Sequence, residues 1–247
     1  MNDEKRQWQK VTLLESVMVA ENVMQLRFRP EKWTPHKPGQ HYDIRLTAPN
    51  GYQAERAYSL ANPPEEEGVF EFGVQLLENG EVSPYLFQLK PGDQVEVRGP
   101  IGGHFVWDVS VPGPLYIIGG GSGMVPLMSK ARNHRRHKDT DKNREITFLI
   151  SARNEGRVLY KDELKKIGEE NSNITIIETI TDTQPPGFTG YTRRIDEAMI
   201  REVFGKDVSK MPMIYVCGPT PFVEVAASLL VKIGYNPHEI RTERFGS

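Results

Sequence analysis

Between Leu115 and Lys130 the chain reads LYIIGGGSGMVPLMSK, and this stretch constrains the possible folds more than any other. Leu115 to Ile118 is a short apolar run with the length and composition of a buried parallel strand. Gly119, Gly120, Gly121 and Gly123 follow, and an apolar pattern resumes at Met124, Val125, Leu127 and Met128. The order is strand, tight turn, helix. Glycines in such a turn permit a sharp bend and let a phosphate reach backbone amides, while the helix dipole favours the anion. Pro126 suits the first helical turn, where a missing N–H is no loss. The dinucleotide fingerprint Gly-x-Gly-x-x-Gly would put a third glycine at Pro126, so the match is incomplete. Alone, the turn reads equally as a phosphate loop or as a plain bend.

The patterning before this stretch differs from the patterning after it. From Lys10 to Gly99 the short segments 11–19, 23–29, 41–46, 54–60, 69–77 and 94–98 carry β-branched or aromatic residues. Turn chemistry separates them, as at Pro49-Asn50-Gly51 and Lys90-Pro91-Gly92-Asp93. Six strands at this spacing predict a small antiparallel barrel. A helical piece is expected over 83–89, with Ser83 as N-cap and Pro84 in its first turn. Beyond the turn-rich linker at 109–114, strands are expected near 115–118, 146–150, 174–179 and 213–217. Helices are expected near 124–137, 161–170, 194–204 and 221–233. That alternation argues for a doubly wound parallel sheet covered on both faces. Two domains result, 1–111 and 112–247.

Balanced charge, with 31 basic and 33 acidic residues, gives no pointer to nucleic acid. One cysteine, Cys217, rules out an internal disulfide framework and any cluster needing several thiolates from this chain. The six histidines show no metal-ligand spacing, so no metal site is expected. No apolar run has the length of a membrane span, and the first ten residues lack an apolar signal core. The expected location is therefore cytoplasmic, with no membrane association. The basic run Arg132, His134, Arg135, Arg136, His137 and Lys138 reads as a solvated helix end that complements the dipole.

Arg56-Ala57-Tyr58-Ser59-Leu60 is the most informative segment of the first half. Alternation puts Arg56, Tyr58 and Leu60 on one face. A cation, a flat ring and a neighbouring hydroxyl could hold a phosphate, stack on a planar heterocycle and bond its heteroatom. A barrel strand with a snorkelling arginine and a half-buried tyrosine is the other reading.

The order of motifs adds to this. RAYSL is followed by Gly80-Glu81-Val82-Ser83, by Gly99-Pro100-Ile101-Gly102-Gly103-His104-Phe105, by GGGSGMVP and by Val216-Cys217-Gly218-Pro219. In this order and over nearly the whole chain they resemble the ferredoxin–NADP reductase superfamily, in a form without a fused iron–sulfur domain. The resemblance implies an antiparallel Greek-key flavin-binding barrel, then a doubly wound parallel-sheet domain for NAD(P), with the two redox rings meeting between them. It implies Arg56 as flavin-phosphate ligand, Tyr58 flanking the isoalloxazine, Ser59 near its N5, and Ala57 as a further cofactor-binding residue. Gly80, Val82 and Ser83 would serve the pyrophosphate of FAD. Gly120, Gly121, Ser122 and Gly123 would hold the nucleotide pyrophosphate, and Cys217, with Gly218 and Pro219, would approach the nicotinamide. At the C-terminus Glu243 would be a proton or charge partner and Phe245 a cover over the flavin. Ser59, Cys217 and Glu243 are thus the expected catalytic residues.

The expected activity is transfer of hydride from NAD(P)H to bound FAD, with electrons passed to an external carrier such as ferredoxin or flavodoxin. A flavin reductase that releases its flavin, or a non-catalytic nucleotide-binding module, are the alternatives on the same scaffold. Nucleotide choice turns on the adenosine ribose. Ser151 and Arg153 would favour a 2′-phosphate, whereas Asp182 would repel it and accept a bond from a free hydroxyl. Weak discrimination between the two nucleotides follows.

Overall fold

The computed structural model describes residues 7–64, 68–205 and 210–245. Its first half is a six-stranded antiparallel sheet made of β1 (Gln9–Ala20), β2 (Val23–Pro30), β3 (His41–Thr47), β4 (Gln53–Ser59), β5 (Phe70–Gln75) and β6 (Gln94–Ile101). The spatial order is β4-β3-β6-β1-β2-β5, and a bridge between Leu60 and Phe72 brings the two edges together. Closure removes the exposed edges that an open sheet would present. Strand alternation fills the interior: Leu26 and Phe28, Tyr42 and Ile44, Phe70 and Phe72, and Val95 and Val97 all point into one core. Gly51, at φ +85°, occupies the turn after Asn50, a conformation that side chains rarely adopt.

The helical piece after β5 is shorter than expected. α1 spans Ser83–Leu86, and Val82, not Ser83, is its N-cap residue. The Ser83 hydroxyl instead accepts a bond from the Leu77 amide at 3.0 Å, pinning the turn ahead of the helix.

The second half alternates as expected. Strands β7 (Leu115–Gly120), β8 (Ile146–Asn154), β9 (Ile174–Thr183), β10 (Met213–Pro219) and β11 (Ile240–Phe245) form a parallel sheet of order β11-β10-β7-β8-β9. Helices α2 (Met124–Arg136) and α3 (Lys161–Glu170) cover one face, over Ile117, Phe148, Ile150 and Tyr215. Helices α4 (Glu197–Phe204) and α5 (Thr220–Lys232) cover the other, over Ile118, Leu149, Ile214 and Val216. Burial on both faces explains why the strands read as continuous apolar runs. Two details differ from expectation. α4 starts at Glu197 because the Asp196 side chain accepts from the Met199 amide at 2.8 Å and caps it. The C-terminal segment is a fifth parallel strand, paired with β10 from Ile214–Ile240 to Pro219–Phe245.

Helix α2 also contacts the barrel. A Cβ on Gly73 of β5 would come within 2.3 Å of Val125 Cγ2, so the two elements are in close apposition there. Ser129 Oγ donates to the Asn62 carbonyl at 2.9 Å, and Arg132 Nη1 to the Ala61 carbonyl at 3.1 Å. Arg132 also pairs with the buried Glu71 of β5 and makes a two-pronged contact to Glu163 of α3, at 2.9 and 2.7 Å. The basic run is therefore not a solvated helix end throughout. Arg132 is held between the barrel and α3, His134 is buried against the loop after α2 with Nε2 3.1 Å from the Asp141 carbonyl, and Arg135, more exposed, pairs with Glu170 at 2.7 Å. No helix among the described residues is long and apolar enough to cross a membrane.

Candidate active site

A cleft of about 600 Å³ runs between the barrel and the parallel sheet. The barrel contributes Arg56, Ala57, Tyr58 and Ser59 from β4 together with Gly80, Glu81, Val82 and Ser83. The sheet contributes Gly120, Gly121 and Ser122 after β7, Ser151 and Arg153 from β8, and Pro219 and Phe245 at the ends of β10 and β11. Most of the residues singled out by sequence, from six separate segments, therefore share one surface.

On the barrel wall, four consecutive residues at the end of β4 line the cleft instead of one alternating face. Leu60, expected beside Arg56 and Tyr58, is fully buried in the barrel core. Tyr58 packs against that core, and burial raises its phenol to about 12 despite nearby Arg56. Ser59 is 4% exposed and its hydroxyl has no hydrogen-bond partner. A buried hydroxyl left unpaired costs stability unless a ligand satisfies it. At the rim, Arg56 Nη2 donates to Glu81 Oε2 at 2.7 Å, and the Tyr52 hydroxyl donates to Glu81 Oε1 at 2.5 Å. The bond from Tyr52, then that from Arg56, hold the Glu81 carboxyl below the usual range. In the sequence Glu81 stands out only as part of a motif, with no role of its own.

On the opposite wall the cleft lies at the C-terminal ends of β7 and β10, where the strand order reverses. Open α/β sheets place ligands at this point. Gly120 and Gly121 lead into α2, whose N-terminus has no side-chain cap, and Pro219 leads into α5, which also lacks one. Uncapped amides at helix starts are suited to an anion. Gly121 adopts φ +54°. Gly123 is a glycine for a different reason: a Cβ there would meet the Cys217 carbonyl oxygen at 2.2 Å. It lies behind the wall and does not line the cleft, contrary to expectation.

Cys217, Gly218 and Glu243 also lie behind the lining. Cys217 is fully buried within the core under α2, and burial, then the nearby Glu243, push its thiol well up, so it stays neutral. Glu243 stands beside it in register across β10 and β11. Its Oε2 is buried without a partner, and burial raises the carboxyl, with Lys130 opposing. Phe245, two residues on, does line the cleft and packs against the same core. Of the expected catalytic residues, only Ser59 faces the cavity directly.

Lys130 is a residue that sequence reasoning misses. It is fully buried on α2, with Nζ 4.1 Å from the Phe105 ring centre and 4.5 Å from that of Tyr215. The available signal is its spacing: Leu127, Lys130 and His134 share an apolar face at helical intervals.

Around the expected ribose site, Ser151, Arg153, Arg157 and Thr181 line the cleft, while Asp182 is exposed and does not. Alternation along β9 turns Thr181 inward and Asp182 away. Arg157, also unforeseen, reaches the barrel through Glu21, Nε to Oε2 at 3.3 Å.

Together the cleft offers three guanidinium groups, two sets of uncapped amides, an unpaired buried hydroxyl and three aromatic rings. This donor set fits a flavin on the barrel side and a nicotinamide dinucleotide on the sheet side.

Known proteins agree. Residues 10–107 match the family model for the oxidoreductase FAD-binding domain, and residues 117–228 that for the oxidoreductase NAD-binding domain. Among curated proteins, the chain is 32% identical over 204 residues to a component of the Na(+)-translocating NADH-quinone reductase of Idiomarina loihiensis. The alignment covers 77% of this chain and 48% of that protein, so the chain spans about half the length of the curated relatives it matches. In fold it is similar to the flavohem-like FAD/NAD-binding domain of nitric oxide dioxygenase from Vibrio cholerae. There the TM-score is 0.85 at 19% identity, over 97% of this chain and 99% of the other. It is also similar to a ferredoxin NADP+ reductase from Neisseria gonorrhoeae with bound FAD and NADP. That match has a TM-score of 0.79 at 17% identity, over 96% and 98% of the two chains.

Proposed function

The chain belongs to the ferredoxin–NADP reductase superfamily as an NAD(P)H-dependent flavoprotein oxidoreductase, and on that premise we propose that it takes hydride from NAD(P)H onto bound FAD and hands the electrons to a separate carrier. The observation that carries this reading is the shared cleft. The Arg56–Ser59 rim and the Gly120–Ser122 loop face one cavity, with the unpaired Ser59 hydroxyl inside it. FAD, when bound, supplies the step from two-electron to one-electron chemistry.

The chain's own residues bind, align and seal. Arg56 would pair with a flavin phosphate in place of Glu81, while Ala57 and Tyr58 would flank the ring and Ser59 would donate to its heteroatom edge. Amides of Gly80, Val82 and Ser83 serve the flavin pyrophosphate. Gly120, Gly121 and Ser122 hold that of the nucleotide, and Ser151 and Arg153 meet its ribose. Phe245 would cover the flavin from the end of β11, and Cys217, with Gly218 and Pro219, would stand on the nicotinamide side. Alignment of this kind lowers the barrier by fixing the reacting atoms in advance. The domain boundary falls between 111 and 112, in the connector ahead of β7.

For the acceptor, ferredoxin or flavodoxin fits a chain whose single cysteine cannot hold a cluster of its own. A second reading is favoured by the curated relatives, which are named as parts of an NADH-quinone reductase. In that reading the acceptor belongs to a membrane complex, and the two domains work on its cytoplasmic side. Flavin retained through gel filtration, with NADH or NADPH oxidised by an artificial acceptor, is the expected result. Loss of flavin with turnover only on added flavin would instead mark a flavin reductase. Comparing a ferredoxin, a flavodoxin and a short-chain quinone as acceptors then separates the two readings of the partner.

A further inference from the structure

The two walls of the cleft are tied together through one side chain of α2. Arg132 Nη1 donates to the Ala61 carbonyl at 3.1 Å and to the Glu71 carboxylate of β5. Its Nε and Nη2 fork onto Glu163 of α3 at 2.9 and 2.7 Å. One turn earlier, Ser129 Oγ donates to the Asn62 carbonyl at 2.9 Å. Ala61 and Asn62 are braced in turn: the Ala61 amide donates to the Glu71 carbonyl at 2.8 Å, and the Glu71 amide to Asn62 Oδ1 at 3.0 Å. Arg132 and Ser129 therefore grip a block that is itself fixed to β5. Glu71 is 4% exposed, and a carboxylate so deeply buried needs its cations held in place. The second cation is Arg27, with Nε 3.8 Å from Oε2.

The place of this block gives it a consequence for the cleft. Ala61 follows Ser59 by two residues, and Ser59 ends β4 with its unpaired hydroxyl in the cavity. At its N-terminus α2 continues directly from Gly120, Gly121 and Ser122, which line the opposite wall. From Met124 to Arg132 the helix rises about 12 Å. α2 is thus a strut with the glycine loop at one end and a fastening to the continuation of β4 farther along. Two other contacts between the halves are less exacting. Val125 packs on Gly73 of β5, and apolar contact has no preferred direction. The Glu21–Arg157 pair is half-exposed, where ion pairs contribute little. A forked guanidinium fixes both distance and angle.

We propose that Arg132 is a positioning residue for hydride transfer: by fastening α2 to Ala61 and Glu71 it sets the separation of the Arg56–Ser59 wall from the Gly120–Ser122 wall. This rests on the redox reading above, in which the first wall holds the flavin and the second the nucleotide. Hydride, one hydrogen with its bonding electron pair, leaves the nucleotide, which is oxidised, for the flavin, which is reduced. Such a transfer needs the two reacting atoms at near contact, and a misplacement of about 1 Å can cost about a hundredfold in rate. Arg132 does not line the cleft. It acts through the helix that carries the glycine loop, so its loss should leave both binding surfaces intact and spoil their alignment.

The test compares the full chain with Arg132→Gln, Glu71→Gln and Arg135→Gln. The last is the control: it breaks an ion pair of the same helix, to Glu170 of α3, that does not involve the barrel. Backbone residual dipolar couplings, recorded without nucleotide, report how the barrel and the parallel sheet are oriented. In the unsubstituted chain and in Arg135→Gln the two halves should share one alignment tensor. In Arg132→Gln and in Glu71→Gln the tensors should diverge, and Glu71→Gln decides the matter if Arg132→Gln fails to fold. A shared tensor in both overturns the proposal. In the flavin-loaded chain, the limiting rate of flavin reduction at saturating nucleotide should fall at least about tenfold in Arg132→Gln. Flavin occupancy and the half-saturating nucleotide concentration should stay within about twofold, the pattern of a loss felt only in the transition state. A lower melting temperature with an undiminished limiting rate would make Arg132 a structural ion pair only and overturn the proposal. If the unsubstituted chain binds flavin and nucleotide without bleaching, the redox reading falls, while the couplings still decide whether Arg132 fixes the two walls.

Discussion

Arg56 and Glu81 face each other at the rim of the cleft, guanidinium Nη2 2.7 Å from carboxylate Oε2. The arginine expected to hold a flavin phosphate is thus occupied by an acid from the turn ahead of α1, which Tyr52 also holds. Flavin binding exchanges one anionic partner for another. Arg56→Ala should weaken flavin binding about ten- to a hundredfold, the range for one charge-assisted contact. Glu81→Gln should tighten it severalfold, since the competing charge is gone while the Tyr52 bond still has an acceptor. Flavin occupancy after dialysis reads both. Full retention by Arg56→Ala would return that residue to the status of a surface strand arginine.

Cys217 is buried and neutral, so any role it has is steric and not nucleophilic. Cys217→Ala should slow flavin reduction by NAD(P)H at least about tenfold, leaving the flavin spectrum and thermal stability nearly unchanged. Small displacements of a reacting pair are enough for such losses. Stopped-flow absorbance provides the rate, and an unaltered rate would make Cys217 a core residue only.

Phe245 lines the cleft at the end of β11. If the nicotinamide must replace this ring, Phe245→Ser should strengthen binding of oxidised nucleotide, because no stacking contact is then given up. Difference-spectrum titration with NAD+ and NADP+ measures it. Equal or weaker affinity would count against a gating role.

Much of this is legible in the sequence, for identifiable reasons. Alternation of apolar residues locates all six barrel strands, and continuous apolar runs locate four strands of the parallel sheet, because pattern follows burial directly. α3 begins and ends where its pattern does, at Lys161 and Glu170. Ile240–Phe245 escapes as a strand because IRTERF is polar and lies at the sheet edge, where one side of the ladder is unpaired. Arg56, Tyr58 and Gly120 are visible because each residue type has a direct chemical use. Glu81, Arg157 and Lys130 are not. Their roles come from partners distant in the chain, Glu81 with Arg56, Arg157 with Glu21, and Lys130 with Phe105 and Tyr215. No local spacing encodes such meetings. Asp182, expected at the ribose, is exposed and does not line the cleft, one step of alternation from Thr181, which does.

Nucleotide choice follows from that correction. Arg153 and Arg157 line the cleft, and Asp182 does not. NADPH and NADH should both be accepted, with kcat/KM within about a hundredfold of each other, roughly 2.7 kcal/mol. Arg153→Ala should reduce use of NADPH more than of NADH, and Asp182→Arg should change the ratio little. Steady-state kinetics at one ionic strength checks all three. A large swing toward NADPH in Asp182→Arg would put Asp182 back at the ribose.

Stability should carry a signature of Lys130. Burial lowers its amine from 10.5 to about 7 in the folded chain. Between those values the unfolded chain binds more protons, so stability rises with pH across that window and is lost as pH falls toward 7. Lys130→Met removes this component, and replacing a buried charge by an apolar side chain is commonly neutral or stabilising. Denaturant melts from about pH 6.5 to about pH 10.5 should show a difference between the two proteins that shrinks as pH rises. A constant difference would mean that Lys130 keeps an ordinary amine.

The central claim is that this cleft brings a bound flavin and a nicotinamide nucleotide together for hydride transfer. Its most direct test is anaerobic stopped-flow mixing of the flavin-loaded protein with NADH and, separately, NADPH, following flavin absorbance. The expected result is single-turnover bleaching of the flavin band by at least one nucleotide, with a rate that saturates as nucleotide rises. A protein that retains flavin and binds nucleotide, yet whose flavin stays oxidised with both, would contradict it.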